Sequence, residues 1–271
     1  MRVGYRGLMG GSATLAVQVV NYGTRAFLER CLATVVADAE GSGLDYEINV
    51  LDNASGENLE DLAARFHACR AYTAADNLGF GGGHNLLMSK TEAPYLLILN
   101  PDVEFVHPGT AKRLLLTVTS REDVNAVGPK LLTISGDAQR YDHGRLHGPR
   151  AQIALRGGHS YWRETDRRRE VAWVSGAALL IERAAFAALG GFDTSLFLYK
   201  EDEDLCLRLR RAGGHVTYEP AVAVRHHGSV VANRQEALAA SLNYYVAKHF
   251  PNRRVQRVFA AAHQSLAYLR L

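Results

Sequence analysis

The chain has 271 residues, enough for one large α/β domain or two small ones, and 47 % of them are hydrophobic, an ordinary share for a protein with a buried core. Its formal net charge of +3 is too mild to indicate a nucleic-acid partner, and no apolar run is long enough to predict a membrane-spanning helix. The three cysteines, Cys31, Cys69 and Cys206, are odd in number and scattered, which argues against a disulfide framework or a zinc site and for a cytoplasmic setting.

Residues 1–13 hold no sustained apolar stretch; they do not read as a signal peptide and are expected to form a flexible leader. Leu15–Val20 is a short apolar, β-branched run that stops at Asn21-Tyr22-Gly23 and predicts a first strand. Phe27, Cys31, Leu32, Val35 and Val36 then share one helical face. Tyr46–Leu51 predicts a second strand, ending at Asp52-Asn53, and Leu59, Leu62, Ala63 and Phe66 return to helical spacing. A third strand is expected near Cys69–Thr73, then a glycine-rich loop, a short helix, and a strand over Tyr95–Leu99 that ends at Asn100-Pro101-Asp102. This alternation predicts a mostly parallel sheet with helices on both faces. Asn21, Asp52 and Asp102 follow strand ends, where open α/β sheets bind ligands, so they point to one shared cleft.

The second half is less regular. Residues 133–170, rich in Gly, Arg and His, are expected to form long loops with one hairpin, and Val171–Ile181 a strand pair or a bent strand. Ala184–Leu189 predicts a short helix. Leu205, Cys206 and Leu209 put another over Glu201–Ala212, and the tail from Gln235 reads as helical with a break at Pro251. No internal repeat or linker divides the chain.

Three constellations could carry chemistry. Asp52-Asn53-Ala54-Ser55 and the loop Asp76–Asn85 bring glycines and a helix start whose free N–H groups suit a phosphate, although a tight loop with no ligand has the same pattern. Neither the P-loop nor the dinucleotide spacing is present. Asp102, after an apolar strand, suits Mg2+ or Mn2+ bridging a diphosphate, or it caps a turn after Pro101. Glu201-Asp202-Glu203-Asp204 opens a helix, where the macrodipole favours carboxylates; such a cluster is a solvated cap or the home of a general base. Successive helical residues turn by about 100°, so at most two of the four face one cleft, and Asp202 shares a face with Leu205, Cys206 and Leu209. Further on, His226 ends a small strand, where a histidine is structural, a metal ligand or a phosphate contact.

In this order, VVNYGTRAFLERCL, VLDNAS, DNLGFGGGHN, YLLILNPDV, VGPKLL, WVSGAALLIERAAFAALGGFD, FLYKEDEDLCLRLRRAGG and VRHHGS resemble the inverting family 2 glycosyltransferases of GT-A fold, rhamnosyltransferase-like branch. The resemblance spans about residues 15–230. It implies a Rossmann-like α/β domain over 14–233, with a nucleotide-sugar half (14–102) and an acceptor half (103–233) holding a small antiparallel part, and C-terminal helices over 234–271 packed on the same domain. By that resemblance Asp52 contacts the donor's nucleobase, and Asn77, Gly79 and Asn85 line its nucleotide-sugar side. Asp102 is the last acid of the metal-binding D-x-D, His226 a further ligand of Mg2+ or Mn2+, and Asp202, with Glu201 beside it, the base. Asn21, Asn100 and Trp173 are counted with the substrate-binding residues. Two departures stand out: Asn100 replaces the first acid of the D-x-D, and His84 replaces a small or amide residue in the glycine segment.

The implied partners are a nucleotide-sugar donor and a hydroxyl acceptor: a deoxyhexose such as rhamnose from dTDP, passed to a glycan, a lipid-linked glycan or a natural product. A UDP-sugar donor and a non-catalytic nucleotide-sugar-binding scaffold are the alternatives. A nicotinamide-dependent oxidoreductase is excluded because Asn21-Tyr22-Gly23-Thr24 follows the first strand where a glycine fingerprint is required. Tyr244, Tyr245, His249 and Phe250, near Arg253 and Arg254, read as core and rim, a homodimer surface or a peripheral membrane contact.

Overall fold

A computed structural model of the chain describes residues 13–121, 123–147, 162–228 and 234–252, so the leader expected over 1–13 lies outside the described residues but for Ala13. The strands β1 (Leu15–Asn21), β2 (Tyr46–Asp52), β3 (Cys69–Thr73) and β4 (Tyr95–Leu99) are parallel, in the order β3-β2-β1-β4. LAVQVV and YLLIL are almost unbroken apolar runs because β1 and β4 are covered on both faces. The sheet continues through β10 (Ala178–Glu182), β6 (Val124–Leu132), β11 (His215–His226) and β5 (Val103–Phe105), and β8 (Arg169–Glu170) adds to β11. β10 is antiparallel to β4 and β6, β5 and β8 are antiparallel to β11, and β11 is parallel to β6. The antiparallel strands thus fall in the second half.

Helices cover both faces: α1 (Arg25–Ser42), α2 (Glu60–Ala63), α3 (Gly79–Met88), α4 (Thr110–Thr119), α5 (Arg183–Ala188), α6 (Glu201–Arg211) and α7 (Arg234–His249). Strand alternation sorts the apolar residues between two cores. Leu15, Val17, Val19, Leu97 and Leu99 meet Leu28 and Leu32 of α1 and Leu114 and Leu115 of α4. Ala16, Leu96 and Ile98 meet Phe186 of α5 and Leu205, Cys206 and Leu209 of α6.

Two local expectations are refined. Val171–Ile181 is a strand pair split between sheets: β9 (Trp173–Val174) joins β7 (His143–Gly144) in a separate two-stranded sheet, and β10 enters the main one after the turn at Ser175–Ala177. The glycine-rich loop is largely helix, since α3 begins at Gly79. A Cβ on Gly81 would lie 2.6 Å from Phe192 Cβ, and one on Gly83 2.8 Å from Val20 Cγ2. The glycines therefore bring the helix backbone against β1 and Phe192, a packing need that outweighs their poor helix propensity.

Candidate active site

The carboxyl ends of β1, β2, β4 and β11 and the start of β10 share one edge of the sheet. Register sets Asn21 opposite Asp52. Asn21 Nδ2 donates to Glu57 Oε2 at 2.6 Å, and its Oδ1 accepts from Thr24 Oγ1 at 2.8 Å. Asp52 is buried; its Oδ1 accepts from the N–H (3.2 Å) and hydroxyl of Ser55, and its Oδ2 from the Gly56 N–H at 3.1 Å. Its carboxylate thus holds the turn that carries Ala54, a non-glycine residue at φ +64. Asn53, part of the Asp52–Ser55 constellation but given no role from the sequence, ties this turn to the next. It donates to Asn77 Oδ1 (2.9 Å) and the Gly79 carbonyl (3.2 Å) and accepts from the Leu78 N–H at 2.9 Å.

The start of α3 is not open to a phosphate in the way the sequence suggested. The N–H groups of Leu78, Gly79 and Phe80 go to Asn53 Oδ1, Asn77 Oδ1 and the Phe197 carbonyl. Gly79, at φ +71, is buried, and the Phe197 carbonyl oxygen sits 2.5 Å from where its Cβ would be, so glycine is required there for close approach. Asn85 clasps the backbone of Phe192, donating to its carbonyl and accepting its N–H, both at 2.9 Å. His84 is a core residue: Nδ1 faces Gln18 Oε1 at 3.3 Å, Phe80 packs on the ring, and burial pushes its pKa down to about 3. Trp173, counted with the substrate-binding residues, is likewise placed in the second core at 4 % exposure. Pairing with β7 turns β9 inward, which the apolar run alone did not reveal.

Asp102 and His226 come together as expected. Asp102 Oδ2 accepts the Gly228 N–H at 2.7 Å, and its Oδ1 lies 3.4 Å from His226 Nε2. His226 Nδ1 lies 2.8 Å from Gln139 Oε1, and its Nε2 lies 3.2 Å from Asn100 Nδ2. Burial acts to raise the Asp102 pKa, but His226 and the Gly228 N–H outweigh it and the net shift is downward. A carboxylate oxygen and an imidazole nitrogen on a ring held by the Gln139 amide form a donor set that fits a hard divalent cation. Among the described residues no group of three or more His, Cys, Asp or Glu surrounds one point. A cation at this pair would complete its shell from phosphate oxygens and water. Asn100, in the place of an acid, contributes through the histidine. Behind this pair Glu104 gathers Arg30 Nε (3.2 Å), Arg225 (3.2 Å) and His227 Nε2 (2.9 Å).

The acidic stretch opens α6 after two successive left-handed residues, Tyr199 and Lys200, each at φ +71. The four carboxylates diverge. Asp202, half-buried, accepts the Gly176 N–H on Oδ2 at 3.0 Å and the Glu203 N–H on Oδ1 at 2.7 Å. Burial, then the charge of Glu203, raises its pKa. Glu201 is buried, its Oε2 has no protein partner, and burial followed by Asp202 raises its pKa well above the usual carboxyl value. Glu203 pairs with Lys200 at 2.5 Å, and Asp204 turns away to Arg208, Lys248 and His249. The shared face with Leu205, Cys206 and Leu209 pointed to Asp202 as the most inward of the four, but Glu201, Glu203 and Asp204 are buried and Asp202 alone is partly exposed, its carboxylate drawn to the Gly176 and Glu203 N–H groups. The Ser175–Ala177 turn joins the two halves of the site. Its Gly176 N–H reaches Asp202, and its Ala177 carbonyl accepts the Asn100 N–H at 2.9 Å.

The sequence profile described as Glycosyltransferase like family 2 matches residues 13–246. The chain belongs to that family and is a glycosyltransferase. It is 29 % identical over 252 residues to the N-acetylglucosaminyl-diphospho-decaprenol L-rhamnosyltransferase of Mycobacterium tuberculosis, covering 82 % of this chain and 79 % of the relative. It is 26 % identical over 225 residues to rhamnosyltransferase WbbL of Escherichia coli K12, covering 77 % and 81 %. Among solved structures it is similar to GalNAc-T7 with UDP, GalNAc and Mn2+ (TM-score 0.65, 18 % identity, 87 % of this chain), of which it spans 47 %. It is also similar to the mannosyltransferase PcManGT of Pyrobaculum calidifontis in complex with GDP-Man and Mn2+ (TM-score 0.58, 15 % identity, 95 % of this chain and 76 % of that one). These likenesses establish the GT-A fold. No helix among the described residues is long and apolar enough to cross a membrane.

Proposed function

We propose that the chain transfers a deoxyhexose, with dTDP-rhamnose as the first candidate donor, to an acceptor hydroxyl by one displacement with inversion at the anomeric carbon. The observation that carries this reading is Asp202: a half-buried carboxylate, aimed by two backbone N–H groups, on the strand edge that also bears Asp102 and His226. Its raised pKa brings it nearer to neutral, where a general base works best. Asp202 takes the proton from the acceptor hydroxyl as the oxygen attacks the anomeric carbon and the bond to the nucleoside diphosphate breaks. Burial and the neighbouring Asp202 raise the pKa of Glu201, which disfavours a second negative charge at that point. Asp102 and His226 would hold Mg2+ or Mn2+, which neutralises the charge that develops on the departing diphosphate. The two rhamnosyltransferase relatives support the choice of donor sugar, and the first one's name supports a lipid-linked glycan as acceptor class.

The test is turnover of dTDP-rhamnose and of UDP-sugars without acceptor, in Mg2+ and in Mn2+, for the wild type and Asp202→Asn. Turnover confined to one nucleotide and reduced by about a hundredfold or more in the variant is expected. Turnover of UDP-sugars alone would replace the donor assignment. If no nucleotide sugar bound or reacted under any metal condition, the transfer reading would be lost.

A further inference from the structure

The C-terminal helix is tied to the segment that delivers Asp202. Along α7, Ser241 Oγ donates to the Leu198 carbonyl at 2.7 Å and Tyr244 Oη to Asp193 Oδ2 at 3.0 Å. Lys248 Nζ lies 2.6 Å from both Asp193 Oδ2 and Asp204 Oδ1, and His249 Nε2 is 2.6 Å from the same Asp204 oxygen. Arg211 donates to His249 Nδ1 at 2.8 Å, which leaves the ring proton on Nε2, facing Asp204. Arg208 takes the other Asp204 oxygen at 2.7 Å and donates to the Leu189 and Gly191 carbonyls at 2.9 Å. Leu242, Tyr245 and Val246 close over Leu196 beside these contacts.

Between the anchors at Leu198 and Asp204 lie Tyr199 and Lys200, both left-handed, and then Glu201 and Asp202. Two successive non-glycine residues persist in that conformation only where the surroundings over-determine it. The opposite flank of the segment is held by α3 through the Phe80 N–H on the Phe197 carbonyl. Asp204 donates nothing to the cleft; it is fully buried in the clasp.

We propose that Asp204, Lys248 and His249 are positioning residues: their clasp fixes the strained Tyr199–Lys200 turn and thereby aims Asp202 at the Gly176 N–H, which makes α7 a part of the reaction centre. This rests on Asp202 as the base. A loosened clasp moves the base relative to the bound donor without touching the donor's own contacts, so it affects kcat and spares KM. A displacement of about 1 Å suffices for losses near a hundredfold.

The experiment uses the full chain with His249→Ala, His249→Gln and Lys248→Met. It measures dTDP-rhamnose turnover and amide hydrogen exchange across residues 197–204. His249→Ala is expected to lower kcat by about ten- to a hundredfold with the donor KM within about twofold, and to speed exchange at 199–204. His249→Gln, which restores an N–H near the Nε2 position, recovers most of both effects, and Lys248→Met reproduces them more weakly. Unchanged exchange at 199–204 in both His249→Ala and Lys248→Met overturns the proposal, as does a kcat loss matched by an equal rise in KM and not recovered by glutamine. Equal turnover in the wild type and Asp202→Asn would instead sink the base assignment, while the exchange data still decide whether the clasp exists.

Discussion

Amide side chains tie much of this site together. Asn53 laces two turns, Asn85 holds Phe192, and Gln139 holds the ring of His226. Backbone amides and imidazoles near a charged site need partners of defined direction, and a short carboxamide supplies a donor and an acceptor without adding charge. Gln139→Leu removes the partner of His226 Nδ1 and frees the ring to rotate. It is expected to raise the Mn2+ concentration for half-maximal donor turnover by about ten- to a hundredfold. An unchanged Mn2+ requirement would show that the Gln139 bond does not serve the cation. Asp102 and His226 stand out in the sequence as polar residues after apolar runs, and the family resemblance adds the metal role. Gln139 does not, since it sits in a loop of weak pattern 87 positions from its partner.

At the scale of elements, α3 shows propensity yielding to packing. Glycine in a helix interior is normally worse than alanine by about 1 kcal/mol. At Gly81 the comparison reverses, because an added Cβ meets Phe192 at 2.6 Å. Gly81→Ala is expected to destabilise the fold by about 1–3 kcal/mol in urea unfolding. Gly41→Ala, in the same residue class but near the end of α1 with nothing within 4 Å, is expected to stabilise it by about 0.5–1 kcal/mol. Two changes of the same sign would contradict the close-packing account. The βα units through β4 were legible because buried parallel strands and amphipathic helices leave strong periodic signals. The two-residue strands β7 and β8 left none, since their pairing is decided by distant segments, and the same holds for the partner, though not the existence, of β9.

For the whole molecule, buried ionisable groups give stability a pH dependence with opposing parts. His84 titrates near 6.5 when unfolded and near 3 in the fold, so the unfolded chain takes up the proton first. Stability from this residue is complete above about pH 6.5 and declines below it by about 1.4 kcal/mol per pH unit, or about 2 kcal/mol by pH 5. His147, pushed down to about 4 by burial and then by Arg210, acts in the same direction. Glu201 and Asp202, raised in the fold, act oppositely, because protonating them on acidification favours the native state. Asp204 is different again. Burial alone would raise its pKa, but His249, Lys248 and Arg208 hold it near 2, so its contribution is lost only as pH falls from about 4 toward 2. In urea titrations, His84→Gln should reduce the stability lost between pH 7 and 5 by about 2 kcal/mol relative to the wild type. Parallel pH profiles for the two proteins would place the charge change elsewhere.

The sequence by itself determined the order of strands and helices through β4, the strand-end placement of Asn21, Asp52, Asn100 and Asp102, and the helix that starts at Glu201. Each rests on local periodicity or on a polar residue stopping an apolar run, and both are properties of a short window. Only the tertiary structure decided which acid of Glu201–Asp204 stays partly exposed, that Trp173 and His84 are core, and that the start of α3 is already bonded to protein. It also decided that α7 closes on Asp204. These outcomes depend on contacts between segments far apart in the chain, where burial and hydrogen-bond geometry select among orientations that local pattern leaves equivalent.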